Sequence, residues 1–511
     1  MLLAVYFSLF FLYKQQVTNF DYGKLVKYGE VIVQSGHVFE TNLFSYTCPD
    51  YPFVNHHWGA GVIFYYVHHL AGFRGLTLLA LVLNLAAFLL IIKLSARSGN
   101  FWATVFVVLL TVPLLASRTQ PRPEAFSIFF FMLTVFLLVS HYHKKLKRKY
   151  LWLLPLVQLL WVNIHILFFL GIFLQGVFLL QLLINRTDKK ELLYFTAVFA
   201  ASVAACFINP DGAKGVFYPF MIMGEIQYSV TENQALYSTR LMRENTGYYY
   251  YYELLFLLTG ILWYYWVKNT KEARPRLFII LWSLAFVALA LWRVRAGVFF
   301  AYMIVLLAGE VTGQLPQRHR KTTSRVSIVM AVFLLAFVSS SRSGLFYPYR
   351  YKEPGLGIAE GLPGGANYFI RNKLHGPVFN NFDVGDYLIY YLYPQEKVFV
   401  DSRPEAYPPG FFKKELLPAI YRQKDWLLLD YKYDFNVVFL GYHPQVSNLV
   451  KRLFDDSRWF LAYHDRYTII FLKMNKENEP LVRDELQNRK VLNEIISRFN
   501  ENRRNGSLWE E

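Results

Sequence analysis

The stretch NFDYGKLVKYGEVIVQSGHVFETNLFSYTCPDYPFVNHHW, residues 19–58, follows an apolar run from Leu2 to Tyr13 and is where charge, histidine and glycine first occur together. Polar chemistry begins where a first membrane helix should end. Asp21 lies within about two helical turns of that end, which predicts a carboxylate held at a membrane surface rather than in bulk water. A carboxylate so close to hydrocarbon is costly to keep without a task, so Asp21 is the leading candidate for a proton-transfer group.

Composition sets the class around that stretch. The 511 residues are 55% hydrophobic, 18% aromatic and only 17% charged, the signature of a polytopic membrane protein that carries some water-soluble mass. A net charge of +17 would suit nucleic acid, but residues 343–511 hold 23 Lys+Arg against 22 Asp+Glu, leaving 30 against 14 in the apolar part. The excess belongs to short basic loops that orient membrane helices, and no nucleic-acid partner is implied.

Apolar segments at about 1–13, 74–93, 101–117, 125–141, 151–164, 166–184, 191–208, 253–268, 276–292, 296–313 and 324–342 predict eleven membrane helices. Each is near or somewhat below the roughly 20 residues a bilayer requires. WGAGVIFYYVHHLAG, 58–72, is too short and glycine-rich to span and is expected as an interfacial helix. Alternation puts Lys93 and Arg97, HKKLKRK (143–149), NRTDKK (185–190), KNTKEARPR (268–276) and RHRKTTSR (318–325) on one side, the cytoplasm by the positive-inside rule. The outer face then receives the first loop (14–58), SRTQPRPE (117–124), a long loop (209–252) and everything beyond the last span. A multi-pass protein of the cell inner (plasma) membrane is expected, with a membrane module at 1–342 and an exoplasmic domain at 343–511. The first span lacks a basic flank and is followed by no small-residue cleavage site, which leaves an upstream start open and argues against a signal peptide.

Cys48 and Cys206 both fall toward the outer side, where a disulfide could form, although two lone cysteines more often stay unpaired. No Cys or His spacing matches a zinc site, and no glycine loop cradles phosphate. An enzyme facing a compartment without nucleotides needs an activated substrate from another source, and the membrane offers a group carried on a lipid phosphate. The outer residues suit that chemistry. Arg118, Arg122 and Glu124 occupy a proline-rich turn, Asn163 and His165 close a span as WVNIH, Arg293 and Arg295 close another, and Arg240 and Arg243 lie in the long loop. Departure of a phosphate needs a base for the nucleophile and fixed positive charge for the leaving group, but no strong acid. Arg122, Arg293 and Arg295 are candidates for that charge, with His56, His57 and His165 as hydrogen-bond donors to phosphate or sugar. No cofactor is implied; a divalent metal held by these histidines and Asp21 is left open. Plainer roles compete: arginines at span ends snorkel to headgroups, His165 can satisfy a helix junction, and Tyr248 to Tyr252 make an interfacial belt.

The short first span, the acid at its outer end, Gly29 and Gly36, FSYT at 44–47 and NHHW at 55–58 resemble the first loop of the bacterial GT-C superfamily of glycosyltransferases, of the protein mannosyltransferase and aminoarabinose transferase type. RPE at 122–124, WVNIH at 161–165 and the Arg293/Arg295 pair are similar to motifs of its uncharacterised members. The resemblance covers about 1–342. It implies inverting transfer of a sugar from a polyprenyl-phosphate donor to a hydroxyl on a glycan, lipid or protein, with Asp21 as general base. Where relatives often carry two adjacent acids, Tyr22, Gly23 and Lys24 follow Asp21 here, so the second acidic role passes to Glu124, with Asp211 next.

Beyond the last span, YPYRYKEPGLG and GLPGG form a glycine- and proline-rich connection to a soluble α/β domain. Strands are expected at Pro377–Phe379, Lys397–Val400, Asn436–Leu440, Trp459–Tyr463 and Tyr467–Leu472, and helices at 362–373, 410–421, 444–455 and 480–500. NNFDVGDYLIYYLYP (380–394) and VFVDSRPEAYP, which ends at Pro408, are its most distinctive strings and also resemble extensions of those members. Asp401, Arg403 and Glu405 there read equally as an acceptor-holding set or as an ion-paired turn, and catalysis is not expected in this domain. A lipid-linked sugar flippase, an oligosaccharide ligase and a non-enzymatic envelope scaffold are the alternative functions.

Overall fold

The computed structural model describes residues 1–16, 20–225, 233–238, 246–269, 276–340 and 353–505. The chain divides into two compact units that interleave in sequence. One, the helical unit, comprises Met1–Tyr13, Thr77–Val216 and Val230–Gly355; the other, the mixed unit, comprises Lys14–Leu76, Phe217–Ser229 and Leu356–Glu511. The first loop therefore clusters with the C-terminal segment rather than with the apolar helices that flank it in sequence.

The helical unit is built around Gly297–Gln314, whose residues from Gly297 to Thr312 are all buried. It packs on Phe101–Leu115, Leu277–Trp292 and Thr246–Asn269. Ser95 Oγ donates to Val305 O at 3.0 Å, tying Trp58–Ser98 to the same helix. Near its end the fully buried Glu310 pairs with Arg276, as a carboxylate away from water must find a cation, and meets His143 Nε2 at 2.8 Å. Leu78, Val82 and Leu89 stand exposed on Trp58–Ser98, as residues facing lipid do.

Helices form at all the expected apolar segments, but among the described residues only four are long and apolar enough to cross a membrane: Trp58–Arg97, Glu124–Tyr142, Ile166–Ile184 and Val294–Gln314. Phe101–Leu115 and Leu277–Trp292 are apolar but shorter. The first segment forms a helix only over Leu2–Leu9, about 12 Å at 1.5 Å per residue, because Tyr13 leaves it to bond Thr119 Oγ1 at 3.0 Å. Lys189–Cys206 and Gln317–Ser340 carry their charges inside the helix. The expected interfacial helix and second span are two halves of Trp58–Ser98, divided at Gly72, where φ of +58° admits glycine far more readily than other residues. The expected 209–252 loop contains a helix at Gly212–Glu225 and the start of Thr246–Asn269.

The mixed unit holds a four-stranded sheet of order β1-β2-β4-β3, with β1 Val378–Asn380, β2 Val437–Gly441, β3 Trp459–His464 and β4 Thr468–Lys473. β1 and β2 are parallel and the other pairs antiparallel. All five residues of β2 are buried, as its unbroken apolar run requires. Ser447–Asp455 lays Leu449, Val450 and Leu453 beside β3. The expected strand at Lys397–Val400 does not join the sheet. Its Val398 instead accepts from Tyr46 N at 3.2 Å and donates to Phe44 O at 3.0 Å, a backbone splice to the first loop.

That loop also contains an unexpected helix, Asp21–Ser35, which buries Tyr22, Leu25, Val26, Tyr28 and Ile32. Each such side chain contributes about 1.5–3 kcal/mol when fully buried. Gly29 lets this helix approach the one beginning at Trp58 so closely that a Cβ there would lie 2.1 Å from Gly61 O. Gly385–Leu392 is a second unexpected helix and packs against Asp21–Ser35.

Candidate active site

Asp21 is the first residue of its helix, where the unsatisfied N–H groups favour a carboxylate, and it is partly buried. Lys24, one turn on, shares its face and is only 7% exposed. An ammonium so buried needs carboxylates, and it finds Asp386, 2% exposed, at 2.9 Å. Asp386 stands near the start of Gly385–Leu392 and accepts from Ser402 N at 3.2 Å and from Ser402 Oγ at 2.5 Å. Lys24 Nζ in turn donates to Ser402 Oγ, which also lies 3.3 Å from Asp21 Oδ1. One hydroxyl thus joins two carboxyl groups and an ammonium.

The electrostatics follow from burial. Desolvation, together with the charges of Asp21 and Asp401, pushes Asp386 up to about 7 against the pull of Lys24. Burial alone would lower Lys24, but Asp386, Asp21 and Asp401 more than offset it and leave its pKa raised. The cluster therefore holds a permanent ammonium and a carboxyl that titrates near neutrality.

A second constellation lies behind the first. Arg403 donates from Nε to Asp401 Oδ1 at 2.7 Å and from Nη2 to Asp401 Oδ2 and Asn42 Oδ1, both at 2.6 Å. Its guanidinium lies 4.8 Å from the centre of the Phe53 ring, with Phe44 and Tyr28 also near. Tyr407 OH donates to Asp401 Oδ2 at 3.0 Å, and Asn42 Nδ2 to Ala406 O at 2.9 Å. Burial raises the Asp401 pKa, Arg403 lowers it further than that, and the net shift is downward. Of the two readings for Asp401 and Arg403, the ion-paired turn is the one formed.

In the helical unit, Glu124 opens the helix Glu124–Tyr142 and is 4% exposed. Arg118 Nε lies 3.3 Å from Glu124 Oε2 and Arg295 Nη2 3.7 Å from Oε1, so one carboxylate orients two guanidinium groups beside a helix N-terminus. Arg295 also donates to Asn233 Oδ1 at 3.0 Å, while Arg293 donates to the Asn233 carbonyl and stacks on Trp292 at 4.7 Å. Arg122 is partly buried in the same turn. One helical turn past Glu124, Ser127 Oγ accepts from Trp161 Nε1 and meets His165 Nδ1, both at 2.7 Å. The start of this helix thus brings together one carboxylate with two guanidinium groups and, a turn on, one hydroxyl with an indole and an imidazole.

Other expected residues take quieter places. Asn163 Nδ2 donates to Leu159 O and Ile208 O at 2.8 Å, closing a helix end. His56 packs against His57 and Tyr218, and burial lowers its pKa to about 4, so at neutral pH it is an uncharged hydrogen-bonding ring. Arg240 and Arg243 lie outside the described residues. Cys48 and Cys206 are free thiols, and Cys206 Sγ donates to Ser202 O at 3.4 Å. Among the described residues no group of three or more His, Cys, Asp and Glu side chains could hold a metal ion. Sequence reasoning missed Lys24, Asp386 and Ser402. The available signal was Lys24 itself, one turn from Asp21 on an amphipathic helix and in need of an anionic partner.

No family model and no curated protein matches the chain. Solved structures do. The archaeal oligosaccharyltransferase AglB from Archaeoglobus fulgidus, in complex with an inhibitory peptide and a dolichol-phosphate, aligns with a TM-score of 0.59 at 10% identity over 90% of this chain and 72% of that one. The Archaeoglobus fulgidus oligosaccharyltransferase tethered to an acceptor peptide aligns at 0.53 with 11% identity, over 91% and 70%. ArnT from Cupriavidus metallidurans, in the apo state, aligns at 0.52 with 12% identity over 94% of this chain and 97% of that one. At such identities the likeness shows the fold alone, one that this chain shares with these structures over most of its length.

Proposed function

We propose that this chain is an integral membrane glycosyltransferase that moves a sugar from a polyprenyl-phosphate donor to a hydroxyl acceptor on the exoplasmic face, with inversion. The acceptor oxygen attacks the anomeric carbon as the bond from that carbon to the phosphate oxygen breaks, and Asp21 takes the acceptor's proton. The leaving phosphate is met by guanidinium charge from Arg122, Arg293 and Arg295, with Glu124 acting to orient Arg118 and Arg295 rather than as a second base. His165, hydrogen-bonded through Nδ1 to Ser127, is the histidine for the phosphate, and His56, uncharged at neutral pH, and His57 serve as hydrogen-bonding groups for the sugar.

The observation that carries this reading is Asp21 itself: a partly exposed carboxylate at a helix start, backed by a buried lysine–carboxyl pair. The fold likeness to AglB, whose structure holds a dolichol-phosphate, supports a donor carried on a lipid phosphate. The likeness to AglB favours a second reading, transfer of an oligosaccharide to a peptide. The deciding experiment offers the detergent-purified chain a panel of decaprenyl-phosphate hexoses and pentoses, and separately a diphosphate-linked oligosaccharide with a peptide, and measures release of the lipid phosphate. Asp21→Asn should reduce release by about 10²–10⁴-fold at unchanged melting behaviour. Full activity in that variant defeats the base assignment, and movement of labelled lipid between leaflets of liposomes holding the chain, without acceptor and with no transfer, makes the chain a flippase.

A further inference from the structure

The general base is not alone in its cluster. Asp21 and Lys24 come from one helix, Asp386 from another and Ser402 from a turn, and the first three converge on the Ser402 hydroxyl. We propose that Asp386 is a positioning residue for transfer, forming with Asp21 a coupled carboxyl pair, joined through Ser402, in which the charge on Asp386 sets the basicity of Asp21. This rests on Asp21 being the base.

The argument is geometric first. Ser402 has one proton to give. Lys24 Nζ can only donate, so Ser402 Oγ accepts from it and turns its own proton to the nearer carboxyl, Asp386 Oδ2 at 2.5 Å. Asp21 Oδ1, at 3.3 Å, is then the second claimant on that proton. If Asp386 is protonated, its hydrogen is shared with Asp21 in the side-chain hydrogen bond that helps raise Asp386, and Ser402 is released toward Asp21 as well, so the negative charge of Asp21 is quieted. If Asp386 is ionised, it holds Ser402, and its charge makes Asp21 the stronger proton acceptor. Interaction energies between two sites are reciprocal, so the charges of Asp386 and Asp21 act on each other.

The other charges around Asp386 do not share this behaviour. Lys24 faces it from the first-loop helix as a constant cation, and Asp401 faces it from the turn while held anionic by Arg403. Glu405, whose pKa burial raises, interacts with Lys24, Arg403 and Asp401. Asp386 is thus the member of the cluster whose charge changes near neutrality, and transfer should quicken as it ionises, with a midpoint near 7.

The test uses the full chain and needs no substrate for its first half. In pH-difference infrared spectra a protonated-carboxyl band should titrate near 7. It should vanish in Asp386→Asn and move to lower pH in Asp21→Asn, where the neighbouring charge is gone. A band unmoved by Asp21→Asn overturns the pairing. The second half is the pH–rate profile with whichever decaprenyl-phosphate sugar is turned over. The limb near neutrality should disappear in Asp386→Asn, weaken several-fold in Ser402→Ala and return in Ser402→Thr, and an unaltered profile in Asp386→Asn overturns the tuning role. Because Asp386→Asn strands Lys24, the paired change Lys24→Met with Asp386→Asn serves as the folded control, and persistence of the band in it is equally fatal. Should the band shift as expected while Asp21→Asn keeps full activity, the base assignment fails and the carboxyl pair stands.

Discussion

Two arginine–carboxylate assemblies in this molecule use the same groups to opposite ends. In the mixed unit Arg403 grips Asp401 through two nitrogens at 2.6–2.7 Å, adds Asn42, and is enclosed by aromatic rings. In the helical unit Arg118 and Arg295 share Glu124 at 3.3 and 3.7 Å, and the Arg295 side chain keeps 31% of its surface exposed. A planar fork matched to a carboxylate and sealed from water is committed to holding the chain together. The guanidinium groups on Glu124 are held at longer range, and one of them stays partly open to solvent. The difference teaches that contact geometry, more than residue type, separates a sealed pair from an open one.

The comparison can be broken first at its tight end. Arg403→Met leaves Asp401 buried without its cation and should cost about 3–5 kcal/mol, read as a large loss of Tm or of folded yield. An unchanged Tm would mean the pair holds nothing.

Next in size is a pH effect. Asp386 binds a proton in the folded chain that the unfolded chain, with an ordinary carboxyl, has released between about pH 4 and pH 7. Its contribution to stability therefore falls as pH rises through that window and levels off above it. The Tm of the wild type relative to Asp386→Asn should drop across the same interval. Asp401, shifted the opposite way, loses its contribution only at lower pH, as it protonates below the ordinary range.

Ser127→Ala removes the acceptor of the Trp161 indole and should cost about 1–3 kcal/mol in thermal melts of the purified chain. At the loose end, Arg295→Gln should change stability by less than about 1 kcal/mol. Its effect should instead appear as a raised KM for the lipid-phosphate donor. A large fall in Tm there would put Arg295 in the same category as Arg403.

Much of this was legible before the structure. Apolar length located Glu124–Tyr142 and Gly297–Gln314 within a residue or two, and β-branched runs located β2 and β4, because burial writes itself into local composition. Asp21 stood out for the cost of its position. Asp21–Ser35 was missed because its glycines and charges imitate a loop, and Gly385–Leu392 because eight aromatic-rich residues are too few for periodicity to separate helix from strand. The Lys24–Ser402 contact spans 378 positions, and no local pattern reports on a partner so distant.

That span has a consequence during synthesis. At about 5–20 residues per second, Lys24 waits on the order of tens of seconds for the chain carrying Asp386 and Ser402 to emerge. Until then the first loop has neither the backbone splice at Val398 nor the Asp386 carboxylate that pairs with its lysine. The cluster around Ser402 therefore assembles last, when the C-terminal residues arrive to complete it.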